Sequence, residues 1–387
     1  MDLNKEIKLS DLVRRPKKKP KRATGTRAAV ARRKRHRKQE IVGLKIGASQ
    51  LAASRVVNNG GPAKLVQLER VPLEPGVVVG GEVRDVPALA TALDRFFTEH
   101  KLPRRGIRLG LGTNRIGVRT LDIEGIEDER QLANAVRFRA NEALSIPLDQ
   151  AVLDYHVVRE TVDESGTVSR RVLLAAAYQD PIDHHVEACR AANLELSAID
   201  VEAFALLRAV TPRREEGDAA PSVASVVVSI GHDRSTLAIS DGTVCDFMRV
   251  LDWGGAKLEA AIARELGLSA TEARELKLAL DLGDGAEDES RRAGARAVLR
   301  REFEALAREL IASLQYYQGE PGSFPISEVL ITGGTTRLPG LAEELERLMG
   351  VPVRVADPLA AVEVSNGLAE RDDLASLAVA IGLGVER

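Results

Sequence analysis

Val329-Leu-Ile-Thr-Gly-Gly-Thr-Thr-Arg-Leu-Pro-Gly-Leu341 is an apolar, β-branched run that ends in two glycines. It reads as a buried strand stopping where the backbone takes positive φ, so that amide groups approach a ligand without interference from a Cβ. Pro339 and Gly340 then open a helix with Leu341, Leu345 and Leu348 on one face, and Val351-Pro-Val-Arg-Val-Ala-Asp-Pro358 supplies the next strand. A plain strand-to-helix turn would use the same two glycines. The glycine-ended strand makes a nucleotide cleft the first hypothesis, and the full order of strand, Gly-Gly, Leu-Pro-Gly, helix and Asp-Pro is more specific than the two glycines alone.

Working outward, 387 residues exceed one ordinary core, so two or more domains are expected. The net charge of −2 hides an asymmetry. Residues 1–40 hold 16 Lys/Arg against 4 acids, or +12, which leaves 39 basic and 53 acidic residues, or −14, for the remainder. The tract from Arg14 to Lys38 has almost nothing apolar to bury and reads as a disordered basic tail. It is either a solvated linker or an electrostatic attachment to anionic lipid. Without aromatics to stack on bases, nucleic acid is the weaker partner. Leu3, Ile7, Leu9, Leu12 and Val13 permit one apolar helical face, a short docking motif over 1–13.

No run of about 18 apolar residues occurs, and no apolar stretch follows the positive charges as a secretory signal would. Cys189 and Cys245 are isolated and read as reduced thiols of a cytoplasmic protein. His184 and His185 follow Asp183 directly and would diverge on a helix, so no metal site is expected.

The remainder divides by pattern. Ile41 to Ser49, Leu51 to Val57 and Lys64 to Val71 look like consecutive hairpin strands, followed by a helix over 86–100 and a strand over 107–111: a first lobe over 41–117. Residues 118–193 form a separate α+β unit, with helices over 127–143 and 182–192 flanking two strands. The chain returns to the first lobe and enters a linker over 194–220, the polar stretch 211–221 leading into the second lobe. A second lobe spans 221–371, its helical part 257–324 carrying Leu299, Phe303, Leu306, Leu310, Leu314 and Tyr317 at spacings of three or four. A terminal helix over 372–387 turns back toward the first lobe. The acidic stretch 281–289 lacks the order of a calcium loop and reads as solvated.

The glycine motif around Gly333 resembles the adenosine motif of the actin-like ATPases, and within them the PilM family of type IV pilus assembly proteins, relatives of the division protein FtsA. Arg119-Thr-Leu-Asp-Ile123, Ala143-Leu-Ser-Ile-Pro147, Leu153-Asp-Tyr155, Ile199-Asp-Val-Glu-Ala-Phe204 and Leu377-Ala-Val-Ala-Ile-Gly-Leu-Gly384 strengthen the resemblance over 41–387. It implies an α/β, two-lobed actin-like (ribonuclease H-like) ATPase fold with an inserted α+β subdomain in the first lobe. An FtsA-type chain would continue into a basic linker and a membrane helix, whereas this sequence stops.

The resemblance also implies a cleft bounded by Lys45, Gly47, Ala48, Ser49, Ser229, Gly231, His232, Asp233, Arg274, Lys277, Gly333, Gly334 and Thr335. In the family two hairpin loops carry Asp-x-Gly, where glycine admits phosphate and the carboxylate holds a magnesium-bound water. Here they read Lys45-Ile-Gly47 and Ser229-Ile-Gly231, and Arg274 replaces the acid of the ribose-holding Glu-x-x-Lys. An ammonium in the metal's place repels a divalent cation while itself attracting phosphate, so no metal and no hydrolysis are expected, and ATP is expected weakly held or absent. Either nucleotide binds with Lys45 partly substituting for magnesium, or the cleft is empty and Lys45 pairs internally, with Asp233 as the candidate partner.

By the same resemblance, the chain is expected on the inner face of the cytoplasmic membrane as a pilus-assembly scaffold. Its partners would be the N-terminal cytoplasmic peptide of a PilN-type protein and other pilus assembly proteins, and an active ATPase or an FtsA-like division protein stands as the alternative. The implied peptide face, between first lobe and inserted subdomain, holds Val118, Leu121, Ile123, Phe138, Leu144, Ile146, Val172 and Leu174. The plain alternative is that these side chains form subdomain core.

Overall fold

Alternating and continuous apolar runs become the strands of two sheets in the structure, a computed structural model that describes residues 39–386 except 127, 145, 164–165, 212–221, 243, 284–289 and 366. The basic tail and its docking motif, most of the polar linker and most of the acidic stretch lie outside the described residues.

The first lobe opens with strands β1 (Gln39–Ile46), β2 (Gln50–Asn58) and β3 (Ala63–Pro72), a short hairpin of β4 (Val78–Val79) and β5 (Glu82–Val83), helix α1 (Val86–Glu99) and β6 (Ile107–Leu111). In β1, Ile41, Val42, Leu44 and Ile46 are all buried, because the strand is covered on both faces. Asp85 caps α1 by accepting the Ala88 amide, and Leu89, Leu93, Phe96 and Phe97 form its inner face. Burying each of these large side chains contributes roughly 1.5–3 kcal/mol.

An insertion follows: β7 (Ile116–Glu124), α2 (Glu129–Ala143), β8 (Ala151–Val162) and β9 (Val168–Tyr178), the strands forming a separate antiparallel sheet in the order β7-β9-β8. Asp128 caps α2 by accepting the amides of Arg130 and Gln131. Helix α3 (Gln179–Ala191) belongs to the first lobe and not to the inserted unit that was expected to contain it. Its Ala188 and Cys189 share one core cluster with Leu93, Phe96 and Ile107, because the apolar face of α3 is covered by α1 and the first sheet. The expected boundary near 193 therefore moves back to about Tyr178. His185 is buried in α3, its Nδ1 2.7 Å from the Pro181 carbonyl, and desolvation lowers its pKa. Strand β10 (Leu196–Val201) and helix α4 (Glu202–Val210) complete the return.

The second lobe repeats the plan with β11 (Ala224–Ile230), β12 (Ser235–Ser240), β13 (Cys245–Leu251), helices α5 (Gly255–Leu266), α6 (Ala270–Leu278) and α7 (Ser290–Gly319), then β14 (Ile326–Thr332), α8 (Leu341–Met349) and β15 (Val353–Val355). The spaced apolar residues of α7, from Leu299 to Tyr317, all enter the core of this lobe. The chain leaves the second lobe earlier than the expected 371, because β16 (Val362–Val364) pairs in parallel with β3. The principal sheets run β10-β6-β1-β2-β3-β16 and β13-β12-β11-β14-β15. Helix α9 (Ala378–Gly384) is apolar all round and wholly buried, wedged against α4, β1 and β2.

Candidate functional site

Strand ends from both lobes converge on one cavity. Every cleft residue expected from the sequence lines it, from Lys45, Gly47, Ala48 and Ser49 through Ser229, Gly231, His232 and Asp233 to Arg274, Lys277, Gly333, Gly334 and Thr335. Gly333 has φ 98°, and a Cβ there would lie 2.3 Å from the Ile230 carbonyl oxygen, so the turn after β14 passes this close to the end of its parallel neighbour β11 only with glycine. The Thr335 hydroxyl donates to the Gly231 carbonyl at 3.0 Å, and the Gly333 amide donates to Ala375 at 2.9 Å. The segment around Ala375 is held to the first lobe by the Arg70–Asp373 ion pair, so this corner joins the two lobes.

Lys45 is paired with Glu202, Nζ to Oε2 at 3.3 Å, and not with Asp233. The strand register explains the partner. Lys45 lies beside Gly110 in the β1–β6 pairing, and β10, on the other side of β6, delivers Val201 beside Leu111, so α4 begins with Glu202 two strands away. The intervening residues leave that path open: a Cβ on Gly112 would lie 2.6 Å from the Glu202 carboxyl carbon. Asp233 is engaged elsewhere, accepting the Gly80 amide at 2.9 Å across the lobes.

On the opposite side, Lys277 is paired with Glu259 of α5 and donates to the Gly255 carbonyl at 3.4 Å. Arg274 thus does not leave Lys277 without an acid; one comes from the neighbouring helix. Arg234 contacts Asp252 through Nη2 at 3.2 Å, while its buried Nε and Nη1 have no hydrogen-bond partner among the described residues. The sequence reading missed Glu202, Glu259 and Arg234. The signal available was chemical only, since two buried lysines require two carboxylates.

The Glu202 and Glu259 carboxylates are each taken by an ammonium, and Asp233 by a backbone amide across the lobes. Among the described residues no three His, Cys, Asp or Glu side chains are grouped to hold a metal.

A second concavity, a groove of about 900 Å³, lies beside β7. Val118, Leu144 and Ile146 line it, but its facing wall is Phe247 to Val250 of β13 with Ser313 and Tyr316 of α7, so the second lobe forms the wall expected from the first. The other expected peptide contacts lie elsewhere. Ile123, Val172 and Leu174 are buried in the subdomain core under α2, and Leu121 packs against the same cluster. Phe138 is 65% exposed on the outer side of α2. Arg115 sits 4.1 Å over the Tyr178 ring at the end of the groove and pairs with Asp180 at 2.6 Å.

Two lobes of duplicated plan about a glycine-lined cleft, with an α+β unit inserted in the first, define an actin-like ATPase fold. Residues 43–387 match the family described as type IV pilus assembly protein PilM, and the chain belongs to that family. It is similar to a solved PilM-PilN type IV pilus biogenesis complex, with 26% identity and a TM-score of 0.73 over 89% of this chain and 97% of that one. MreB 5 of Spiroplasma citri bound to AMPPNP shares the fold at 12% identity and a TM-score of 0.50, over 89% of this chain and 94% of its own.

Proposed function

We propose that this chain is a noncatalytic scaffold of a type IV pilus assembly platform that binds the N-terminal cytoplasmic peptide of a PilN-type inner-membrane protein. The single observation that carries the reading is the family match together with its likeness to a PilM-PilN complex. The groove beside β7 offers a place for such a peptide, its lining including the apolar side chains of Val118, Leu144, Ile146 and Phe247. No helix among the described residues is long and apolar enough to cross a membrane. Attachment to the inner face of the membrane would come from the partner and from the basic tail.

The pairing of the cleft's carboxylates supports absence of turnover. A metal-assisted phosphoryl transfer needs carboxylates free to hold a metal, and those of the cleft are occupied by Lys45, Lys277 and Gly80. Nucleotide held without turnover is a second reading, favoured by the unpartnered nitrogens of Arg234 at the cleft wall.

Fluorescence anisotropy with a labelled N-terminal peptide of the PilN-type protein encoded in the same genome tests the partner. Saturable binding to residues 41–387 is expected, and none at high micromolar protein would overturn the reading. Equilibrium binding of labelled ATP with and without EDTA tests the cleft, where affinity is expected to be unaffected by the chelator.

A further inference from the structure

We propose that the β4–β5 hairpin is a latch on the cleft: Asp233 of the second lobe holds its tip, while the next residue, Arg234, is buried at a cost that favours opening. The proposal concerns access to the cleft and holds whatever the cleft or the groove binds.

The lobes are joined in two chemically different ways. At the base, Leu206 and Ala209 of α4 share one buried apolar cluster with Val227 of β11 and Ala238 of β12. Parting that junction would expose apolar surface to water, so the lobes stay together there. The hairpin tip is different. Gly80 and Gly81, with φ 64° and 70°, form the two-residue turn between β4 and β5 and reach the turn between β11 and β12. The Gly80 amide donates to Asp233 Oδ2 at 2.9 Å, a bond that spans the lobes. Glycine is needed at both positions: a Cβ on Gly80 would lie 2.6 Å from Arg234 Nη2, and one on Gly81 2.2 Å from the Gly112 carbonyl oxygen. Gly81, Gly112, Asp233 and Arg234 all line the cleft, so the latch stands at its wall. An amide–carboxylate bond exchanges for water far more readily than an apolar junction parts, which leaves this contact with two accessible states.

Arg234 works against the bond. Its side chain is 14% exposed, Nη2 lies 3.2 Å from Asp252, and the buried Nε and Nη1 have no hydrogen-bond partner among the described residues. Unpaired buried donors are destabilising, more so on a charged group. Asp252 is 71% exposed, so its screened charge contributes little in compensation. Parting the hairpin from the 231–234 turn admits water to the guanidinium. Two adjacent residues thus act in opposite directions on the same contact. Such a balance suits a gate, because a ligand or partner with a modest preference for one state shifts the population.

The test uses the full-length chain and two readouts. The first is hydrogen exchange over residues 78–83, a segment that contains the Gly80 amide and reports local opening. Asp233→Ala removes the acceptor and is expected to speed exchange there about tenfold, with exchange in β1 and β11 unchanged. Arg234→Met keeps the aliphatic bulk and removes the unpaired nitrogens, so it is expected to slow exchange about fivefold. The second readout is alkylation by iodoacetamide of a thiol introduced by Ser229→Cys, at a cleft-lining position that is 6% exposed. Cys189 and Cys245 are buried, their thiols pushed up to about 12 by desolvation, so the native background is low. Gly80→Val changes no charge and wedges the hairpin off Arg234 from the first-lobe side, and alkylation should rise about tenfold in that background. Exchange within about twofold of wild type in Asp233→Ala would overturn the latch. Absence of slowing in Arg234→Met would overturn the opposing role of Arg234, and unchanged alkylation in Gly80→Val would overturn control of the cleft. Asp233→Ala and Gly80→Val act from opposite lobes, so a folding failure in one leaves the other to decide.

Discussion

Lys45 and Glu202 form an ion pair across the width of strand β6, 3.3 Å apart, with the lysine on β1 and the glutamate in the first turn of α4. The two side chains are 18% and 9% exposed, so the charges are largely withdrawn from water and each depends on the other. Removing one partner strands the other charge, which is more damaging than losing a surface pair. Lys45→Ala is expected to destabilise the protein by about 2–4 kcal/mol in urea unfolding. Exchanging the charges, Lys45→Glu with Glu202→Lys, should recover most of that loss. Additive losses in the double variant would show that the pair is not the relevant interaction.

The same pair governs any attempt to restore metal binding. Wild-type protein is expected to release no phosphate from ATP above background in a magnesium-dependent assay. Lys45→Asp alone places a carboxylate beside Glu202 in a poorly solvated position, where like charges raise each other's pKa. Ser229→Asp together with Lys45→Asp and Glu202→Gln avoids that conflict, and this triple variant should gain magnesium-dependent affinity for nucleotide by calorimetry. Robust turnover by the unmodified chain would refute the noncatalytic reading.

Asp373 supplies a pH signature for the corner between the lobes. Two hydrogen bonds from Arg371, at 2.8 and 2.9 Å, lead in lowering its carboxyl to about 2, with Arg70 adding to the shift. The folded state therefore holds the proton less tightly than the unfolded chain. The resulting stabilisation is complete above the ordinary carboxylate range and is lost as pH falls from about 4 through about 2. Asp373→Asn should lower stability at neutral pH by on the order of 2 kcal/mol, with the difference from wild type shrinking over that acid range. A constant difference from pH 7 to pH 2 in denaturant titrations would rule the linkage out.

What the sequence made legible was local. The end of β14 at Gly333, the turn after Ile46 and the apolar spacing of α7 are each written within a dozen residues, through φ, burial and helical period. The partner of Lys45 was not legible, because it depends on the parallel register of β1, β6 and β10, and Glu202 is set by no spacing along the chain. For the same reason Asp233 looked eligible until the amide of Gly80 was seen to hold it. The groove was half legible. Val118, Leu144 and Ile146 stand in the segments singled out, but Arg249 and Tyr316 come from another lobe, and apolar residues such as Val172 carry no mark distinguishing core from rim. β16 was missed because three residues at the end of a lobe show no periodicity, and only the open edge of β3 recruits them.

The basic tail carries the last prediction. Residues 1–40 hold a charge of +12 and the rest of the chain −14, so the two parts should respond oppositely to an anionic surface. Each Lys or Arg close to such a surface contributes on the order of 1 kcal/mol at low salt, and exposed charges are screened beyond about 8 Å at physiological ionic strength. Full-length protein should therefore sediment with phosphatidylserine-containing vesicles at low salt and lose that association steeply as salt rises. A chain starting at Ile41 should not sediment with them at any salt. If residues 1–13 act as a docking helix, Ile7→Ala with Leu12→Ala should weaken a protein contact while vesicle binding and its salt dependence persist. Equal sedimentation with and without residues 1–40 would exclude the electrostatic role and leave a solvated linker.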